Sequence, residues 1–229
     1  MNPPEPDVPL PGAPVPAPRG VGAPARTPHP IEVESYRILR ERLGDRLDGL
    51  PPLSRAVLER TVHSVADVAF ADTLVLDEDA LAAGRAALLA GAPLIVDTRM
   101  AAAGITARET IVPLADPRAA ERARATGSTR SDAAFRLAAA DHADGAVWAI
   151  GNAPTALFAL LDEVAAGRVR PALVVGLPVG FVGAAESKAA LAGSGVPCLT
   201  NRGERGGTPV TVAAIHALLF HRDSGSPSA

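Results

Sequence analysis

The stretch ALVVGLPVGFVGAAESKAALAG, residues 172–193, contains a strand, a glycine-rich turn and a helix in succession. It begins with a short, continuously apolar run that ends at Gly176, as buried parallel strands do. A turn with Gly180 and Gly183 follows, and the alanine-rich segment after it is long enough to cross back over a sheet. This succession is typical of α/β domains, in which helices connect parallel strands.

The same pattern recurs along the chain, where short apolar runs alternate with helical segments or polar turns. The apolar runs occupy residues 93–97, 110–114, 146–151, 172–176 and 196–200. The sequence therefore predicts a three-layer α/β/α domain around a five-stranded parallel sheet. Ligands bind beyond the carboxyl ends of the strands in such sheets. Asp97, Asn152 and the glycine-rich turn fall at these ends, which makes them candidates for ligand contact.

Composition narrows the class of protein. The chain has 229 residues, of which 48% are hydrophobic, and its net charge is -3. This length suits one domain with a short extension, and the weak negative charge gives no sign of nucleic-acid binding. No apolar run approaches the roughly 20 residues that span a bilayer, and no signal-peptide core is present. We expect a soluble cytoplasmic protein that binds neither nucleic acid nor membranes.

The two ends of the chain differ in composition from the middle. Of the 22 prolines, 11 lie within the first 30 residues, where too little apolar surface is available to offset the entropy of ordering. We predict a disordered, proline-rich tail over residues 1–27, a folded domain over 28–221 and a disordered end over 222–229. The tail is a spacer in the simplest interpretation, and a ligand for an SH3-type domain in the alternative.

Two helices are predicted before the first of these strands. PIEVESYRILRERLG, residues 30–44, starts at a proline and stops at Gly44. LSRAVLERTVH, residues 53–63, predicts a second helix that Ser54 caps and that His63 ends. The end of a helix favours the imidazolium form of histidine, which suits a proton donor. A polar residue on a solvated helix surface is the alternative interpretation of His63.

Two further polar residues occupy unusual positions on predicted helices. Ser35 lies within the apolar stripe of the first helix, where it either bonds a backbone carbonyl one turn back or contacts a ligand. Thr129 and Asp132 form a capping box that puts Arg130 in the first turn of the next helix. A cation there opposes the helix dipole, which an anionic ligand would compensate. A surface arginine without a role is the alternative.

Several types of site are disfavoured. The turn that contains Gly176, Gly180 and Gly183 has the spacing G-x-x-x-G-x-x-G, which differs from the G-x-G-x-x-G fingerprint of NAD- and FAD-binding proteins. Its glycines offer backbone N–H groups to an anion or serve tight packing. The chain has one cysteine, Cys198, no G-x-S-x-G turn, and no acidic cluster beside its other histidines. No metal site, disulfide framework or serine hydrolase is predicted.

Taken together, these stretches resemble the precorrin-8X methylmutase family of cobalamin biosynthesis. The long segments GNAPTAL (151–157) and PVGFVGAAESK (178–188) are the most specific, and the resemblance extends from about residue 30 to 220. The other matching segments are PIEVESYRILR, VHSVAD, GAPLIVDTRMAAAGI, STRS and NRGERGGTPVTVAAI. The resemblance implies a flavodoxin-like sheet, no metal or organic cofactor, and a homodimer in which the partner chain helps to line each pocket.

The resemblance also implies an activity. A member of this family moves a methyl group from C-11 to C-12 of the corrinoid ring and so converts precorrin-8X to hydrogenobyrinate. Its cobalt-containing counterpart converts cobalt-precorrin-8 to cobyrinate, and the motifs leave open which of the two substrates this chain takes. A non-catalytic tetrapyrrole carrier and a generic anion-binding Rossmann-like enzyme are the alternatives.

Functional positions follow from the same resemblance. It implies that His63 is the acid–base residue and that Ser35 and Arg130 contact the substrate, with Asp97 and Asn152 as further candidates from the strand ends. The arginine suits the carboxylate arms of a tetrapyrrole, and Phe181 and Val182 of the glycine-rich turn suit its conjugated face. Asp67, four residues after His63, is a candidate to orient the imidazole.

Overall fold

The structure is a computed structural model that describes residues 29–221. The predicted tail over residues 1–27 and the predicted end over 222–229 lie outside the described residues. The strands are β1 (Leu74–Val75), β2 (Leu94–Val96), β3 (Val147–Ile150), β4 (Leu173–Gly176) and β5 (Cys198–Asn201). The helices are α1 (Pro30–Leu43), α2 (Pro52–Val65), α3 (Glu78–Leu89), α4 (Arg99–Gly104), α5 (Pro117–Thr126), α6 (Arg130–Asp141), α7 (Pro154–Ala165), α8 (Ala184–Ala192) and α9 (Thr208–Phe220).

The strands form one sheet in the order β1-β5-β4-β3-β2. Strands β2 to β5 are parallel, and β1 pairs antiparallel with β5 through Leu74 opposite Asn201. The prediction of a wholly parallel sheet is therefore wrong, because the sheet is mixed. Strand β1 escaped the sequence pattern because it is only 2 residues long, which is too short to give a recognisable apolar run.

The predicted strand over residues 110–114 is reduced to a single bridge. Ile111 pairs parallel with Ile95 on the outer side of β2, where backbone hydrogen bonds of 2.8 and 2.9 Å hold it. Pro113 then begins a short 3-10 turn. Because proline has no N–H to donate, the ladder cannot continue past this point.

The sheet lies between two helical layers, each with its own apolar core. Alternate residues of a strand point to opposite faces, so Val147 belongs to one core and its neighbour Trp148 to the other. The first core is packed by residues of α1, α2, α3, α4 and α9, and the second by residues of α6, α7 and α8. This division accounts for a three-layer α/β/α arrangement.

The parallel strands end at a common border of the sheet, which we call the carboxyl edge. Asp97 follows β2 there, Asn152 follows β3, and loops 177–183 and 202–207 follow β4 and β5. The end of α2 reaches the same edge, because a 3-10 segment joins it to β1, which pairs with the end of β5. The carboxyl edge therefore gathers the ends of several elements that carry predicted site residues.

Candidate functional site

The structure brings Ser35 and His63 together. Helix α1 begins at Pro30 as predicted, and Gly44 ends it with a φ of 52°. The Ser35 hydroxyl lies 2.9 Å from His63 Nε2 and forms a hydrogen bond with it. Ile31, one turn before Ser35, is 74% exposed, so the apolar stripe predicted around Ser35 is not buried at this end. The sequence left Ser35 two roles, a hydrogen bond to the backbone carbonyl one turn back or a contact with a ligand. In the structure its hydroxyl bonds to His63 in place of that carbonyl.

Helix α2 differs from its prediction at both ends. It starts at Pro52, with Pro51 as the N-cap residue, and it continues two residues past His63. The prediction that Ser54 caps this helix is wrong, because Ser54 lies inside it, is buried, and donates its hydroxyl to Glu78 Oε2 at 2.7 Å. His63 remains in the last turn of the helix and is half-buried.

A residue that the sequence analysis missed covers the face of His63. The ring of Tyr36 stacks on the imidazole with a centroid separation of 4.6 Å and an angle of 3° between the planes. Burial raises the pKa of Tyr36, which is the single tyrosine of the chain. Its position next to Ser35 in a chain with few aromatic residues is the signal that could have identified it.

The carboxylate of Asp67 contacts residues other than His63. Its Oδ1 accepts a hydrogen bond of 3.0 Å from the backbone N–H of Ala69, and its Oδ2 forms an ion pair with Arg205. The guanidinium of Arg205 also donates to the Ala69 carbonyl at 3.2 Å. These contacts hold the turn that follows α2 against loop 202–207. Among the described residues, Asp67 therefore holds the backbone of the turn that follows α2 and does not bond to the imidazole of His63.

The buried side chain of Lys188, in α8, holds loop 202–207 in place through hydrogen bonds. Its side chain is 1% exposed, and its Nζ donates to Asn201 Oδ1 at 3.0 Å and to the Arg205 carbonyl at 2.5 Å. Asn201 Nδ2 donates to the same carbonyl at 2.8 Å. Burial lowers the pKa of Lys188 to about 8. The sequence analysis missed this residue, although a lone lysine among 22 basic residues is an unusual feature.

Asp97 and Asn152 also lie together, but in different environments. Asp97 is fully buried, and its Oδ2 accepts backbone N–H bonds of 3.1, 2.6 and 3.0 Å from Gly151, Asn152 and Ala153. Its Oδ1 has no hydrogen-bond partner among the described residues. Burial raises the pKa of the carboxyl, although the three N–H groups oppose the shift. Asp97 thus lies behind the turn, whereas Asn152 is exposed at the carboxyl edge.

Arg130 belongs neither to the pair of Ser35 and His63 nor to the pair of Asp97 and Asn152. It is the first residue of α6, and Thr129 caps the helix by accepting the N–H of Asp132 at 3.1 Å, as predicted. The Asp132 carboxylate does not complete the predicted box, because it pairs with Arg136. The exposed side chain of Arg130 donates to the Leu114 carbonyl at 3.4 Å. Since α6 leads back to the start of β3, its first residue lies at the carboxyl edge.

Large apolar side chains are also exposed at the carboxyl edge. In loop 177–183, Phe181 is 90% exposed and Val182 is 88% exposed. Met100, at the start of α4 just beyond β2, is exposed as well. A surface that combines exposed apolar side chains, a cation and a histidine suits a large ligand with an apolar face and anionic arms.

The sequence model of the precorrin-8X methylmutase family matches residues 30–221. The chain belongs to this family. A precorrin-8X methylmutase from Sinorhizobium sp. is 46% identical over 167 residues, which cover 69% of this chain and 79% of that protein. The cobalt-precorrin-8 methylmutase of Priestia megaterium is 38% identical and covers 86% of this chain and 90% of its own. Precorrin-8X methyl mutase from Thermus thermophilus has a solved structure with a TM-score of 0.73 at 38% identity, covering 83% of this chain and 96% of that one.

Membership of the methylmutase family makes the chain an isomerase of cobalamin biosynthesis that acts on a tetrapyrrole. The relatives include methylmutases named for precorrin-8X and others named for cobalt-precorrin-8. Among residues 29–221, no group of three or more His, Cys, Asp or Glu side chains is arranged to hold a metal ion. No helix in the same range is long and apolar enough to span a membrane.

Proposed function

We propose that the chain moves a methyl group from C-11 to C-12 of precorrin-8X, or of cobalt-precorrin-8, with His63 as the acid–base residue. The observation that carries this proposal is the 2.9 Å hydrogen bond between His63 Nε2 and Ser35 at the carboxyl edge. A histidine that is half-buried and held in one orientation can exchange a proton with a bound ring. The family resemblance implies a role for both residues, which supports the proposal.

The chemistry needs a proton but no nucleophile. One bond to the migrating methyl breaks at C-11 as another forms at C-12, and the ring accommodates the change within its conjugated system. A proton or hydrogen bond from His63 makes that system electron-poor and so lowers the barrier. The proton returns to His63 when the product forms, so that the net reaction is an isomerisation. Ser35 holds the imidazole during both transfers.

The anionic arms of the substrate require partners of their own. We assign one carboxylate arm to the exposed guanidinium of Arg130, which makes only a long 3.4 Å contact with a backbone carbonyl among residues 29–221. The exposed Asn152 side chain, in the turn that precedes α7, is a second contact. Asp97 supports the turn of Asn152 from within, because its carboxylate is buried and already accepts three N–H groups.

Two properties of the assembly are also part of the proposal. We infer a homodimer whose partner chain helps to line the pocket, since the exposed side chains of Phe181, Val182 and Met100 offer apolar surface for such a contact. We also infer a cytoplasmic enzyme from its place in a biosynthetic family. A single sedimentation experiment that found a monomer at micromolar concentration would contradict the first inference.

We further infer a variant of the flavodoxin-like fold. When the bridge at Ile111 is counted, the parallel segments of the sheet follow the order Ile111, β2, β3, β4 and β5. Numbered along the chain from β2, this is the order 2-1-3-4-5 of flavodoxin-like sheets. Strand β1 is then an antiparallel addition at the far edge.

Turnover is the test of the function. Wild-type protein should convert metal-free precorrin-8X to hydrogenobyrinate, with the orange-pink product spectrum, and cobalt-precorrin-8 should be tried in parallel. His63→Ala should lower kcat by about 10²–10⁴-fold, the usual contribution of general acid catalysis. The variant should still bind hydrogenobyrinate, because Arg130 and the backbone donors remain. Tight binding of both substrates without turnover by the wild type would instead identify a carrier.

A further inference from the structure

The imidazole of His63 is held on its face as well as at a nitrogen. Tyr36 stacks on it at 4.6 Å with nearly parallel planes, while Ser35 bonds its Nε2 at 2.9 Å. Tyr36 and Ser35 are consecutive residues of α1. One short segment of one helix therefore controls both the tilt and the rotation of the ring.

A second pair of side chains ties α1 to α2 behind this stack. Arg40 lies one turn after Tyr36, with its guanidinium carbon 5.7 Å from the tyrosine ring centroid. Glu59 lies one turn before His63 and is 8% exposed. Arg40 donates to both carboxylate oxygens of Glu59 over 2.8–3.1 Å. The four side chains form a ladder with two rungs, the Tyr36–His63 stack and the Arg40–Glu59 ion pair.

Fewer buried apolar side chains hold the first half of α1 than the second half. Ile31 and Val33 are 74% and 55% exposed, and the buried residues of the helix are Leu39 and Leu43 in its second half. In the half of α1 that carries Ser35, Tyr36 packs against the first core. The contacts of Tyr36 with this core and with His63, together with the rung behind them, hold this half of the helix over α2.

We propose that Tyr36 is a positioning residue for His63, and that the ladder fixes the imidazole in the plane from which it reaches the substrate. The proposal rests on the acid–base role of His63 proposed above. Tyr36 acts through its flat ring rather than through its hydroxyl. A displacement of about 1 Å in a catalytic group can cost roughly 10²-fold in rate, so loss of the stack should lower kcat without weakening substrate binding.

The test compares three variants of the full chain. Tyr36→Leu removes the flat ring, Tyr36→Phe keeps it without the hydroxyl, and Arg37→Ala is a matched control on the same helix. Arg37 pairs with Glu34 and Glu41 on the exposed face of α1, away from the ladder. The measurements are kcat and KM with precorrin-8X, the affinity for hydrogenobyrinate, the melting temperature, and the proton NMR signals of the His63 ring.

Tyr36→Leu should lower kcat by about 10–100-fold, with KM and product affinity changed by no more than about threefold. Tyr36→Phe and Arg37→Ala should keep kcat within about threefold of the wild type. A Leu variant that retains full kcat, or a Phe variant as slow as the Leu variant, would overturn the proposal. If Tyr36→Leu does not fold, Tyr36→Met is measured in its place.

The NMR signals separate this proposal from the function on which it rests. In the wild type and in Tyr36→Phe, the stacked ring should shift the carbon-bound protons of His63 upfield, and the Leu variant should lose that shift. A wild type with no turnover but with this pattern would refute the methylmutase role of His63 and leave the stack in place. A shift that is absent from the wild type would refute the positioning role alone.

Discussion

Lys188 should make the protein more stable as the pH rises through the alkaline range. Burial lowers the pKa of its ammonium group from 10.5 to about 8. Below pH 8 the group is protonated in both the folded and the unfolded chain, so that the folded chain bears the cost of a buried charge. Between about pH 8 and 10.5 the folded chain releases this proton while the unfolded chain keeps it. Since the unfolded state then binds more protons, the free energy of unfolding increases with pH.

The size of the effect follows from the two pKa values. A difference of one pKa unit corresponds to about 1.36 kcal/mol, so a fall from 10.5 to about 8 corresponds to roughly 3 kcal/mol at full deprotonation. The neutral amine keeps the hydrogen atoms that it donates to Asn201 and to the Arg205 carbonyl. The gain therefore does not require loop 202–207 to be released.

The assay is urea denaturation of the wild type and of Lys188→Met at pH 7.5 and pH 10.5, followed by the fluorescence of the buried Trp148. Burial also raises the pKa values of Tyr36 and Cys198, but both groups titrate in both proteins and cancel in the difference. The difference in unfolding free energy should move in favour of the wild type by up to about 3 kcal/mol. A difference that is the same at the two pH values would show that the Lys188 proton is bound normally.

Three further outcomes are expected. Arg130→Ala should raise KM for precorrin-8X by about 10–100-fold with little effect on kcat, because a charge-assisted bond of roughly 1.5–3 kcal/mol is lost equally from the bound substrate and from the transition state. Unchanged affinity for hydrogenobyrinate would place Arg130 outside the pocket. Ala66→Gly should stabilise the fold by about 0.5–1 kcal/mol in thermal unfolding, since Ala66 ends α2 with a φ of 52°; a lower melting temperature would contradict this. Gly84→Ala should destabilise by about 1–3 kcal/mol in urea denaturation, because its Cβ would lie 2.4 Å from Leu173 Cδ2; wild-type stability would mean that α3 can shift.

The sequence was sufficient for the elements that carry a strong local signal. The four parallel strands and the limits of α1 were predicted because apolar runs, Pro30 and Gly44 mark them directly. The pairing of Ser35 with His63 was not predicted from spacing, because they lie 28 residues apart and meet only when α1 packs on α2. The family resemblance had named both residues without giving their contact.

Two of the errors share a cause, which is that a side chain found its partner in a distant part of the chain. Ser54 has the chemistry of a helix cap, but it donates to Glu78 instead, because Pro51 and Pro52 start the helix earlier. Asp67 follows His63 closely, yet its carboxylate pairs with Arg205, 138 residues away. Neither partner can be read from local pattern, since tertiary packing decides which of several available donors or acceptors comes within reach.

The buried carboxylate of Asp97 has a consequence for selectivity. Where a parallel strand leads into a helix, the exposed N–H groups often bind the phosphate of a nucleotide. In this chain the N–H groups of Gly151, Asn152 and Ala153 already bind a carboxylate supplied by the neighbouring strand. The carboxylate of Asp97 thus fills the position that the phosphate of a metabolite would otherwise occupy. A small anion meets three N–H groups that are already bonded, so we expect the carboxylate arms of a broad macrocycle to bind at Arg130 and at other groups of the carboxyl edge instead.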